Sequence, residues 1–143
     1  MHFFENTYRL INKYNQKTKT AKQYGTDDLL YSAEVHMIEM IGSYEKITTT
    51  KLAEILGITK GAVSQITRKL LEKKLIEKAP SIEKSNEIFI SLTDRGRIVY
   101  SYHRGMHEDM LRKIDLVLCD IPDEGKKALD KIIQVIDESL DNM

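Results

Sequence analysis

The stretch ITTTKLAEILGITKGAVSQITRKLLEKKLIEK, residues 47–78, decides the fold. It reads as two short helices joined by a tight turn, with a β-hairpin pattern directly after it. Thr48 is placed to N-cap the first helix, because its hydroxyl can accept from an orphan backbone N–H of the first turn. Ile47 and Leu52 flank it at the spacing of a hydrophobic staple. Thr59 repeats the arrangement, with Ile58 and Val63 as its pair. Gly57 falls between the helices, where a residue able to take positive φ closes the first one. The spacing predicts that the second helix buries Ala62, Val63, Ile66, Leu70 and Leu71. Its other face would then offer Lys60, Ser64, Gln65, Thr67 and Arg68, donors and acceptors of the kind that read base edges. Thr49 starts the first helix, and Gly61 lets the backbone of the second approach a phosphate. A lone amphipathic helix would be read as a core element with a solvated face. Two stapled helices around a glycine turn point instead to a helix-turn-helix that sets its second helix in the DNA major groove.

The residues that follow supply a wing. Ile88, Ile90 and Leu92 alternate as in a half-buried strand, and Pro80 suits a strand end or edge. Glu83-Lys84-Ser85-Asn86 is the natural hairpin tip, so Lys84, Ser85 and Asn86 join the candidate DNA contacts. The run LAEILGITKGAVSQITRKLLEKKLI, a wing and then SLTDRG together resemble the MarR family of winged-helix transcription regulators. The resemblance covers nearly the whole chain. It implies a mainly α fold in which residues 32–93 form a winged helix-turn-helix lobe, and residues 1–24 and 94–143 supply dimerisation helices to a single domain. Two positions depart from the family pattern. Family wings usually carry D-x-R eight residues before the Thr of LT, where this chain has Lys84-Ser85-Asn86. Lys74 stands where many relatives have Gly.

Composition bounds the rest. At 143 residues the chain is one domain's length. It has no apolar run long enough for a transmembrane helix, and its first residues, MHFFENTYRL, are too weakly apolar for a signal peptide. The single cysteine, Cys119, excludes an internal disulfide and suits a reducing cytoplasm. The formal net charge is zero, but it is unevenly spread. Residues 1–24 hold five bases and one acid, residues 45–93 nine bases and six acids, and residues 115–143 three bases and eight acids. A basic middle and an acidic C-terminal segment would orient the protein toward phosphate.

The outer segments read as helices: 2–22, 32–42 (capped at Ser32, ended at Gly42), a long one from Asp94 capped by Thr93, and a last one opened by Pro122. The long helix would span about 40 Å, more than so small a core can cover. Leu129, Ile132, Ile133, Ile136 and Leu140 give the last helix an apolar stripe. A second copy is the expected partner, and the resemblance implies the same: a two-fold dimer presenting two recognition helices to a pseudo-palindromic operator on double-stranded DNA.

His103 and His107 lie four apart and share a helix face, with His36 near the start of the 32–42 helix. The resemblance extends here to the zinc-responsive repressors of the family, whose metal-binding histidines fall on these three positions when the LTDRG segments are matched. Three imidazoles suit zinc or another transition metal as an effector, with Asp27, Asp28, Glu34 or Glu108 as a completing carboxylate. An organic effector in a cleft lined by Tyr31, Met37, Tyr100 and Met106 is the competing expectation. No catalytic set, P-loop or dinucleotide motif is present, and no cofactor is required. The reading is therefore a cytoplasmic homodimeric repressor, with no membrane partner. The alternatives are a winged-helix protein–protein adaptor and a small zinc enzyme.

Overall fold

In a computed structural model the two short helices form where their caps direct. The structure describes residues 2–82 and 86–141. The elements run α1 (His2–Thr18), α2 (Ser32–Ser43), β1 (Lys46–Thr48), α3 (Thr49–Leu56), α4 (Lys60–Glu72), β2 (Ile76–Pro80), β3 (Ile88–Leu92), α5 (Asp94–Cys119) and α6 (Asp123–Asp141). Thr48 Oγ1 accepts from the Lys51 N–H at 3.2 Å, and Thr59 Oγ1 accepts from the Ala62 N–H at 3.1 Å. Gly57 closes α3 with φ 63°, the left-handed conformation that favours glycine. Mainly helical with a small antiparallel sheet, the architecture is the winged helix-turn-helix that the residues implied.

The sheet has order β1-β3-β2 and is antiparallel throughout. β2 and β3 make the wing hairpin, with Pro80 at its end opposite Ile88. β1 is an element the sequence pattern did not announce. Three residues are too few to show an alternation, and its last residue, Thr48, doubles as the cap of α3.

Two compact units divide the chain, Met1–Arg104 and Gly105–Met143. In the first, the core gathers on α2, α3, α4 and the sheet: Met37, Ile38, Ile41, Leu52, Val63, Leu70, Leu75 and Ile90 are all buried. Gly96 is the hinge of this packing. A Cβ there would overlap the Leu75 carbonyl oxygen, so only glycine lets the start of α5 approach the end of the α4–β2 turn. Thr93 fastens the same corner: its Oγ1 donates to the Lys74 carbonyl at 2.7 Å and accepts from the Gly96 N–H at 3.1 Å. The LT-x-x-G signature thus has a packing reason. Lys74 itself sits at φ 57°, a left-handed conformation that strains an L residue and that glycine would adopt freely.

Helix ends account for three corrections. α1 stops at Thr18, and residues 19–31 run as an irregular segment tied by one bridge, Lys22 to Leu30. α2 is capped by Tyr31 rather than Ser32, with Glu34 Oε2 accepting from the Tyr31 N–H at 2.9 Å. It also runs through Gly42 to Ser43. Gly42 makes room for the Tyr100 ring and Leu92 instead of ending the helix. In the second unit, α6 carries Leu129, Ile132, Ile133 and Val135 exposed. The Leu140 side chain lies outside the described residues.

Candidate functional site

α4 divides sharply by face. Val63, Thr67 and Leu70 are buried, while Lys60, Gly61, Ser64, Gln65 and Arg68 are exposed. The exposed set spans two turns, so its donors and acceptors form one continuous strip. Thr67 is corrected to the core. It lies four residues after Val63 and three before Leu70, in the middle of the buried stripe, and its Oγ1 donates to the Ser64 carbonyl at 3.2 Å. The spacing itself carried that signal.

The start of α3 and the wing line an open groove of about 630 Å³, with Thr49, Thr50, Lys51, Glu54, Asn86 and Glu87 along it. Thr49 and Asn86 therefore face one groove. Lys84 and Ser85 lie outside the described residues. Behind the strip, Lys73 at the C-terminal cap of α4 reaches α2: its Nζ donates to Glu34 Oε1 at 2.7 Å and to the Leu29 carbonyl at 2.9 Å.

The second site is on α2 and α5. The rings of His36 and His103 lie with centroids 5.6 Å apart, tilted 60° to one another. His103 is buried, and His36 is half-buried. His107 follows one turn later in the same unbroken helix, which carries it to the His103 face. The three imidazoles are a candidate metal group. Tyr24 packs edge-on against His103 at 5.8 Å, and burial pushes its phenol pKa up. Glu39 is the acid that the sequence reading missed: its Oε2 lies 3.2 Å from His103 Nδ1. It stands three residues after His36, a spacing that keeps both on one face of α2.

Three of the four carboxylates first expected to complete this group are otherwise engaged. Glu34 is buried with Lys73. Asp28 accepts from Arg95 at 2.9 Å, and Asp27 is held by the same guanidinium, which lowers its pKa below the ordinary carboxylate value. Glu108 is exposed on α5. The expected effector cleft is corrected in part. Met37 has no exposed surface because it is part of the core. Tyr31 caps α2 half exposed, Tyr100 packs against the core beside Gly42, and Met106 is exposed in the second unit. Among the described residues no helix is long and apolar enough to cross a membrane.

A capped helix-turn-helix, a β-wing and a polar strip on the second helix define a winged helix-turn-helix of the DNA-binding type. Residues 28–84 match the model of the MarR family, and the chain is similar to HTH-type transcriptional regulators. Similar proteins include the uncharacterized HTH-type transcriptional regulator YhjH of Bacillus subtilis, 29% identical over 86 residues, which cover 60% of this chain and 49% of that one. The match thus spans about half of that relative's length. The HTH-type transcriptional regulator PchR of the same organism is 23% identical over 142 residues, covering 93% and 84%.

Solved structures share the fold. The adhesin competence repressor AdcR of Streptococcus pyogenes superposes with TM-score 0.79 at 20% identity, covering 96% of this chain and 97% of that one. FabT of Streptococcus pneumoniae, solved in complex with DNA, gives 0.73 at 21%, covering 99% and 96%. ZitR of Lactococcus lactis, a zinc-responsive family member, gives 0.72 at 22%, covering 97% of each.

Proposed function

We propose that the protein is a cytoplasmic homodimeric repressor that reads a pseudo-palindromic operator and is controlled by zinc or a similar transition metal. Residues 1–143 act as one MarR-like domain in this reading. The observation that carries it is the division of α4, with a locked apolar face behind Lys60, Gly61, Ser64, Gln65 and Arg68. Thr49, Lys84, Ser85 and Asn86 would add contacts from α3 and the wing. FabT, similar in fold, is solved in complex with DNA, which supports DNA binding by this fold.

Dimerisation is supported within each unit separately. α1 leaves Phe4, Tyr8 and Tyr14 more than half exposed, and α6 does the same with Ile133 and Val135. Apolar patches of this kind mark interfaces. A dimer would set two recognition helices about one DNA turn apart.

Zinc is the effector that the donor set favours. His36, His103 and His107 would hold it, because neutral imidazoles match its borderline-soft character. ZitR, similar in fold, is zinc-responsive. The metal would act by fixing the α2 and α5 histidines in one arrangement and so biasing the lobe that carries α4.

An electrophoretic shift with DNA upstream of the protein's own gene tests the reading. Binding preferred over random duplex, and changed by zinc against a chelator, is the expected outcome. Equal affinity for both duplexes under both conditions would reject it.

A further inference from the structure

One turn of α2 carries both His36 and Glu39, and both side chains approach His103. The His36 ring lies tilted beside that of His103 with centroids 5.6 Å apart, while Glu39 Oε2 lies 3.2 Å from His103 Nδ1. The His103 side chain is 8% exposed and that of Glu39 31%, so the pair is largely shielded from water. An imidazole binds a metal through one ring nitrogen. Which one is decided by what the other nitrogen is bonded to.

We propose that Glu39 is the positioning carboxylate of the histidine group: it holds the Nδ1 proton of His103 and so presents Nε2 as the metal-binding nitrogen. The proposal rests on the reading of His36, His103 and His107 as a metal site. Glu39 and His103 stand at ion-pair separation, without full hydrogen-bond alignment. The terminal torsion of a glutamate is broad, so a small turn of the carboxylate aligns it. The Tyr24 ring, edge-on at 5.8 Å, restrains the imidazole from another side. Because the carboxylate comes from the same helical turn as His36, α2 would supply one ligand and orient another. A carboxylate hydrogen-bonded behind a ligating imidazole also makes that imidazole a stronger donor.

The test uses the full-length protein and two readouts. Zinc affinity is measured by competition with a chromophoric chelator for wild type, Glu39→Ala, Glu39→Gln and His103→Ala. The His103 tautomer is read by nitrogen-15 NMR of the metal-free protein. Wild type should hold His103 as the Nδ1–H tautomer. Glu39→Ala should mix the tautomers and weaken zinc binding roughly 10- to 100-fold. Glu39→Gln keeps an acceptor oxygen and should retain the tautomer and most of the affinity. Unchanged affinity and tautomer in Glu39→Ala would overturn the proposal while leaving the metal reading intact. An equal loss in Glu39→Gln and Glu39→Ala would overturn it too, since Glu39 would then be a ligand. A wild type that binds no zinc would overturn the metal reading and this proposal with it.

Discussion

Lys73 Nζ lies 2.7 Å from Glu34 Oε1, joining the end of α4 to the start of α2 across 39 residues of sequence. Glu34 is 3% exposed and also accepts from the Tyr31 N–H, so its charge is buried and its oxygens are used. Removing one member of a buried pair leaves the other uncompensated. Lys73→Met is therefore expected to destabilise the fold by about 3 kcal/mol. The double variant Lys73→Met, Glu34→Gln removes both charges while keeping an acceptor for Tyr31, and should recover most of that loss. Urea denaturation of the four proteins in the cycle measures the coupling. Additive losses would show that the pair contributes little.

Gly96 allows a test of the α5 docking corner. A Cβ there meets the Leu75 carbonyl oxygen, a backbone atom that cannot swing away. Gly96→Ala should cost about 3 kcal/mol, the upper end of ordinary overpacking. Gly105, also on α5, has no atom within 4 Å of a built Cβ. Gly105→Ala should be neutral or stabilising by up to about 1 kcal/mol through helix propensity. Thermal unfolding of both variants decides it. Equal effects would reject the packing account of SLTDRG.

Lys74 is the complementary case. Its φ of 57° costs an L residue steric energy, and its side chain is exposed. Lys74→Gly is expected to stabilise by about 0.5–1 kcal/mol, the relief of strain being partly offset by the extra freedom of glycine in the unfolded chain. A lower denaturation midpoint in Lys74→Gly would contradict this.

What could be read in the sequence was what is local. Thr48, Thr59 and Gly57 act within one turn of themselves, so their cap roles follow from spacing alone. The Lys73–Glu34 and Arg95–Asp28 pairs join residues 39 and 67 apart, and no periodicity records such a meeting. Glu39 escaped for the same reason: its partner, His103, is on another helix. β1 escaped because its pairing with β3, not its own pattern, makes it a strand. The misassignment of Thr67 was of a different kind. A hydroxyl was read as a base contact although the residue lay on the apolar stripe, where a local bond to the Ser64 carbonyl satisfies it.

Arg95 gives the acid response a sign. Its guanidinium holds Asp27 below the ordinary carboxylate pKa, chiefly through a side-chain hydrogen bond. A depressed folded-state pKa contributes stability that is present above the unfolded value, near 3.8, and is lost as pH falls through the lower folded value. Wild type should thus be more stable than Arg95→Gln at pH 7, and the gap should narrow below about pH 4. Melting temperatures of the two proteins between pH 7 and pH 2.5 measure it. A gap that widens on acidification would be inconsistent with this pairing.

The two faces of α4 make opposite predictions for neighbouring residues. Arg68 is exposed, and its fork-shaped guanidinium suits bidentate contact with a guanine edge. Arg68→Ala should relax discrimination by about 1–3 kcal/mol at one operator position, as should Gln65→Ala at another. Thr67 is buried beside it and points away from any DNA on that face. Thr67→Val keeps the shape, loses the bond to the Ser64 carbonyl, and should leave the sequence preference unchanged while lowering stability by about 1 kcal/mol. Competition shifts over single-base operator variants separate the two effects. A change of base preference in Thr67→Val, with none in Arg68→Ala, would mean that α4 meets DNA by a face other than its exposed one.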